Sequence, residues 1–111
     1  MPSIDLPNNS VVILGGTGAL GRRIASELAE RGAALTIVGR DPLEAQRVAA
    51  SVGGVSASLD LLDPSTLGAP LATALDAHGS VSGIVNAAGV VAFGPLAGME
   101  PDVIDQVVTV N

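Results

Sequence analysis

Val11-Val12-Ile13-Leu14-Gly15-Gly16-Thr17-Gly18-Ala19-Leu20-Gly21 is a run dominated by β-branched residues that breaks at once into glycine. A Pro/Asn/Ser turn cluster precedes it, so Val11 to Leu14 is read as a buried strand that ends in a tight turn. From Ala19 to about Arg31 the apolar residues Leu20, Ile24, Ala25 and Leu28 recur at helical spacing. Glu27, Glu30 and Arg31 fall on the other face, and Gly32 supplies the stop. A strand thus becomes a helix through a loop with glycine at positions 15, 18 and 21.

Working outward, the pattern repeats. Ala34 to Val38 reads as a second strand and Gly39 to Pro42 as a turn. Leu43 to Val52 makes a second helix, with Pro42 near its first turn and Gly53-Gly54 after it. Val55 to Leu59 is a third strand. Pro64 to His78 is a third helix, expected to be irregular where Pro70 interrupts it. Val81 to Asn86 is a fourth strand, Ala88 to Gly98 a Gly/Pro-rich loop, and Pro101 to Asn111 the start of a fourth helix. Strands alternating with helices imply an α/β fold, a doubly wound parallel sheet covered on both faces by right-handed crossovers.

Composition narrows the chemistry. The chain has 111 residues, the size of one domain, and a net charge of -6. Hydrophobic residues make up 48% and charged residues 14%, which calls for a packed core rather than a disordered chain. Cys, Trp and Tyr are absent, Phe93 is the one aromatic, and the five basic residues are all arginine, namely Arg22, Arg23, Arg31, Arg40 and Arg47. A disulfide framework, a thiolate nucleophile, a Cys-based metal site and a Schiff-base lysine are excluded in this chain. An acidic chain with five scattered arginines and one Phe is a poor nucleic-acid binder. Mean hydropathy is +0.54, yet charged, Gly or Pro residues interrupt every apolar run well short of the ~18 residues a spanning helix needs, so no membrane is expected. The polar start MPSIDLPNNS carries no secretory pattern, and a cytoplasmic protein is the expectation.

The glycine loop supplies the functional lead. Gly15 permits the sharp exit from the strand, Gly18 lets backbone approach a pyrophosphate, and Gly21 lets the helix pack closely on the sheet. Free N–H groups and the dipole at the helix start favour an anion. No G-K-[ST] follows, which excludes a P-loop. At the end of the second strand Val38-Gly39-Arg40-Asp41 offers a small residue and an arginine, suited to a ribose 2'-phosphate and hence NADP. Asp41, beside Pro42, could argue for NAD instead but suits a helix cap better. His78 is placed at the end of the third helix, near terminal carbonyls. Glu27, Glu30 and Glu44 are assigned to solvated helix faces.

Together, Gly15 to Gly21 after strand one, Gly39-Arg40 after strand two, Asp60-Leu61 after strand three and Asn86-Ala87-Ala88-Gly89 after strand four resemble the short-chain dehydrogenase/reductase family over essentially the whole chain. The loop departs from the commoner T-G-x-x-x-G-x-G form, with Leu14 for Thr and Ala19 for Gly. The resemblance implies a Rossmann fold of strand order 3-2-1-4-5, present here as strands 1 to 4, and cofactor contacts from Gly15, Thr17, Gly18, Ala19, Leu20, Gly21 and Arg40. Asp60 would accept from the adenine amino group with the Leu61 backbone alongside. Asn86 would tie the end of strand four to neighbouring backbone, and Ala87, Ala88 and Gly89 would be small so that the cofactor can lie against them. Asn111 falls where the family places the asparagine of its proton relay.

The implied reaction is hydride transfer between a nicotinamide and a carbonyl or alcohol, with a downstream Y-x-x-x-K pair as acid and ribose holder. With Tyr and Lys absent, residues 1–111 read as the amino-terminal portion of the NAD(P)-binding domain of such an oxidoreductase, a fragment or truncated reading frame inactive alone. Its small-molecule substrate and homo-oligomeric state would belong to the parent. A non-catalytic dinucleotide sensor or scaffold is the alternative. Strand four would be left as an apolar edge, so marginal stability and self-association are expected.

Overall fold

Three apolar runs, Val11–Leu14, Leu35–Val38 and Val55–Leu59, are each followed by a turn and then a helix-forming stretch, and each becomes a strand of one sheet. The structure, a computed structural model, describes residues 9–60, 63 and 68–88. In chain order the elements are β1 (Ser10–Leu14), α1 (Ala19–Glu30), β2 (Ala34–Gly39), α2 (Pro42–Ser51), β3 (Val55–Ser58), α3 (Gly68–His78) and β4 (Gly83–Asn86). All pairings are parallel and the sheet runs β3-β2-β1-β4. This is the Rossmann-like α/β arrangement that the alternating pattern predicts.

Register explains the two cores. Ser10, Val12 and Leu14 stand beside Ala34, Thr36 and Val38, while Val11 and Ile13 stand beside Leu35 and Ile37. Because side chains alternate along a strand, these are opposite faces. Ile13, Leu35 and Ile37 pack with Ala25 of α1 and with Val48 and Ala49 of α2. Val12, Leu14 and Val38 pack with Ala74 of α3 and with Leu59. Two right-handed crossovers leading from β1 to β3 put α1 and α2 on one face, and the return to β4 puts α3 on the other. Strands buried on both sides carry no polar face, hence their near-continuous Val, Ile and Leu.

Some boundaries differ from the sequence expectation. Pro70 does not break α3; it is the third residue of Gly68–His78, where a missing N–H leaves no helical hydrogen bond unmade, and positions 64–67 of the expected helix lie outside the described residues. β4 begins at Gly83 rather than Val81; just before it the Ser82 hydroxyl accepts the Ser10 N–H at 3.1 Å and the Ser82 N–H donates to the Ser10 carbonyl at 2.7 Å. Leu20 is 64% exposed and lies outside the core stripe of α1, which rests on Gly21 and Ala25. His78 does sit at the end of α3, but its Nε2 donates 3.1 Å across to the Leu35 carbonyl of β2 rather than to its own helix. Glu44 is not simply solvated: it bridges Arg22 and Arg47. The expected Gly/Pro loop after Ala88 and the fourth helix lie outside the described residues. Among those described, β4 is an edge strand on which Ile84 is 52% exposed, and no helix is long and apolar enough to cross a membrane.

Candidate functional site

Parallel strands send all their exits to one edge. The Gly15–Gly21 loop leaves β1, Arg40 follows β2, Asp60 follows β3 and Asn86-Ala87-Ala88 closes β4, so the predicted positions meet along the carboxyl edge of the sheet. Three inter-strand steps separate β3 from β4, about 14 Å, which is a site for an extended ligand rather than a compact one. The chain leaves β1 for β2 on one side and reaches β4 on the other. The crevice at such a reversal of strand order is where open α/β sheets bind ligands.

At the loop, the role of each glycine can be read from its surroundings. Gly15 has φ +76°, and a Cβ there would lie 2.5 Å from the Ala88 nitrogen and 2.8 Å from the Ala87 carbonyl carbon. Gly15 is therefore both the sharp turn and the point where the β1 exit touches the β4 exit. At Gly21 a Cβ would run into the Gly15 carbonyl oxygen and lie 2.8 Å from the Gly16 Cα, so glycine brings α1 down onto the turn. Gly18 differs: its φ is -77° and an added Cβ would meet only the Gly15 carbonyl oxygen, at an ordinary 3.6 Å. Neither torsion nor packing among the described residues demands glycine at that position.

The helix that follows starts bare. Gly18 is the N-cap of α1, its own N–H donates to the Gly15 carbonyl at 3.2 Å, no side chain among the described residues bonds the N–H groups of Ala19 to Gly21, and the first turn holds no acid. The start of α2 is built the opposite way, with Asp41 Oδ1 accepting from Leu43 N–H at 2.9 Å, Pro42 in the first turn and Glu44 one residue on. Asp41 is thus the helix cap that its place beside Pro42 implies. An uncapped, acid-free N-terminus keeps its partial positive charge for an external anion.

Around this anion position the loop is braced. Gly15 and Gly16 N–H both donate to the Val38 carbonyl, at 2.9 and 3.0 Å. Arg22 Nε donates to the Thr17 carbonyl at 2.8 Å, and its guanidinium pairs with Glu44, which also holds Arg47. Arg23 and Arg31 both pair with Glu27. Arg40 alone of the five arginines has neither an ion pair nor a hydrogen bond among the described residues, and it stands exposed just past β2. Asn86 Oδ1 accepts from Ala88 N–H at 3.1 Å, which ties the side chain to the backbone of the β4 exit. Asp60 is exposed, and its carbonyl accepts from Asp63 N–H at 2.9 Å.

Leu61, Gly89 and Asn111, assigned in the sequence to adenine, cofactor and proton relay, lie outside the described residues. Two features escaped the sequence reading. The Arg22–Glu44 brace joins positions 22 residues apart on different helices, and the Thr17 side chain covers Gly39. Neither leaves a local pattern. Arg22 and Glu44 each stand in a helix first turn, which is the only hint the sequence offers.

A dinucleotide fits these donors. The bare α1 start and open Gly18 suit a pyrophosphate, and the unpaired Arg40, at the end of the neighbouring strand, suits a further phosphate. Among the described residues no cluster of three or more His, Cys, Asp or Glu stands ready for a metal.

Comparison with known proteins agrees with this geometry. A family profile described as short chain dehydrogenase matches residues 9–111. The chain is 32% identical over 111 residues to 2-(S)-hydroxypropyl-CoM dehydrogenase 3 of Xanthobacter autotrophicus, covering 96% of this chain and 44% of that protein. It is 30% identical to dehydrogenase/reductase SDR family member 7B of Mus musculus, covering 96% and 36%. A solved short chain dehydrogenase from Salmonella enterica serovar Typhi superposes with a TM-score of 0.83 at 26% identity, covering 99% of this chain and 49% of that one. The chain spans less than half the length of these relatives. Fold, loop geometry and a match over nearly its whole length place this chain in the short chain dehydrogenase family.

Proposed function

We propose that this chain is the dinucleotide-binding portion of an NADP-preferring oxidoreductase whose complete form interconverts a small-molecule carbonyl and an alcohol. The observation that carries the reading is the uncapped α1 N-terminus beside Gly18, a glycine the chain itself does not need. The helix-start N–H groups from Ala19 to Gly21 hold the pyrophosphate, while the Gly18 N–H donates to the Gly15 carbonyl at 3.2 Å. Arg40 pairs with the ribose 2'-phosphate, Asp60 accepts from the adenine amino group, and Ala87 and Ala88 give the nicotinamide half a flat, side-chain-poor wall. When bound, NADP supplies hydride exchange with the carbonyl or alcohol. This chain's part is to bind and orient; it has no Tyr and no Lys, so the proton donor and ribose-holding lysine implied by the family are assigned to a downstream segment.

Fluorescence titration with NADPH tests the reading. Gly18→Val fills the anion approach and Arg40→Asp reverses the charge at the 2'-phosphate. Each is expected to weaken NADPH binding by about ten-fold or more, the loss of a charge-assisted hydrogen bond. Binding indifferent to both changes refutes the assignment.

A further inference from the structure

Gly39 ends β2 and is buried, yet its backbone is not in the left-handed region; the described glycines with positive φ are Gly15, Gly32, Gly53 and Gly79. Space, not torsion, keeps this position glycine. A Cβ there would lie 2.7 Å from Thr17 Cγ2, 3.0 Å from Thr17 Oγ1 and 3.4 Å from Thr17 Cβ. Both heavy branches of the threonine face Gly39, which leaves its third staggered slot to hydrogen. Rotating χ1 moves one branch into that slot and leaves the other in a facing slot, so no rotamer of Thr17 clears the space. Nor is the loop free to step back. Its backbone is tied to Val38 by Gly15 and Gly16, and the Thr17 carbonyl is held by Arg22.

We propose that Thr17 is a specificity-determining residue: by filling the space over Gly39 it keeps an acidic side chain out of the end of β2 and leaves recognition of the adenosine ribose to Arg40. A carboxylate at the end of this strand would accept from both ribose hydroxyls and repel a 2'-phosphate, which is the NAD arrangement. Glycine at 39 and threonine at 17 therefore form one coupled choice. Truncating Thr17 to its Cβ leaves a single ordinary contact of 3.4 Å. Serine also clears the space, because its one heavy branch can take the third slot. This inference rests on the NADP reading proposed above and deepens it.

A double-mutant cycle on the full chain decides it, with melting temperature and titrations with NADH and NADPH as readouts. Gly39→Asp in the wild-type background is expected to lower the melting temperature by about 5 °C or more, as overpacking does, and to gain no affinity for NADH. In the Thr17→Ala background the same change is expected to lose less than half as much and to raise NADH affinity about ten-fold. Thr17→Ser should match Thr17→Ala. Gly39→Ala in the same cycle keeps the steric test if the aspartate variants fail to fold: destabilising beside Thr17, nearly neutral beside Ala. Equal effects of the position-39 changes in both backgrounds overturn the proposal, as does an NADH gain from Gly39→Asp alone. Failure of the NADP reading shows separately, as a wild type that binds NADH as tightly as NADPH and ignores Arg40→Asp.

Discussion

Gly15→Ala perturbs the contact between the two strand exits that form the crevice, and its effect separates into two parts. Torsion is the first: at φ +76° an alanine pays the left-handed penalty of about 1–2 kcal/mol. Packing is the second. The new methyl would lie 2.5 to 2.8 Å from the Ala88 nitrogen, the Ala88 Cα and the Ala87 carbonyl carbon. These are backbone atoms, fixed by the Ala87 N–H bond to the Leu14 carbonyl and the Asn86 bond to Ala88. Overpacking against atoms that cannot rotate away costs about 1–3 kcal/mol more. Gly53→Ala supplies the control, since Gly53 has φ +67° and nothing within 4 Å of the added carbon. Both substitutions restrict the unfolded chain equally, so that contribution cancels in the difference. Urea unfolding of the two variants should place Gly15→Ala about 1–3 kcal/mol below Gly53→Ala. A Gly15→Ala variant no less stable than Gly53→Ala refutes the claim that the β1 and β4 exits are in backbone contact.

Three further outcomes follow from single residues. Thr36 is fully buried with its hydroxyl unpartnered among the described residues, so Thr36→Val should leave stability unchanged or raise it by about 1 kcal/mol in urea unfolding; a loss above that size would mean the hydroxyl is satisfied. Asp41→Ala removes the α2 cap and should cost about 1 kcal/mol of stability, whereas Asp41→Asn should cost much less. Glu44→Gln loosens the brace between Arg22 and Arg47 at an exposed site; its effect on melting should stay below about 1 kcal/mol and shrink further as salt is added.

What the sequence made legible is what local pattern encodes. The strands at Val11–Leu14 and Leu35–Val38 were readable because burial on both faces demands unbroken apolar runs. The site edge was readable because glycine, a lone Arg-Asp-Pro turn and Asn-Ala-Ala each sit directly after a strand. Asp41 as a cap was readable from its proline neighbour. Contacts that depend on register were not. His78 reaching Leu35 spans 43 residues, and the Thr17–Gly39 contact arises only once β1 and β2 are aligned so that Leu14 stands beside Val38. Leu20 shows the limit of periodicity itself. Its spacing from Ile24 is that of a core residue, but the first turn of α1 overhangs the loop, and a helical pattern does not mark where the underlying sheet stops.

The loop glycines also weigh the functional reading against the bland one. If the sequence between β1 and α1 were only a tight turn, each glycine would answer to a positive φ or to a neighbour within the chain. Gly15 answers to both, Gly16 lies against Ile37, and Gly21 lies against the turn. Among the described residues Gly18 answers to neither, and it is also the N-cap of a helix start that no described side chain satisfies. Serine, threonine, aspartate or asparagine at that position would stabilise α1 by only about a few tenths of a kcal/mol relative to glycine, but each would place an oxygen over the first N–H groups. The proposed pyrophosphate site accords with this: a capping side chain would occupy the donors that an anion would use, and glycine leaves them open.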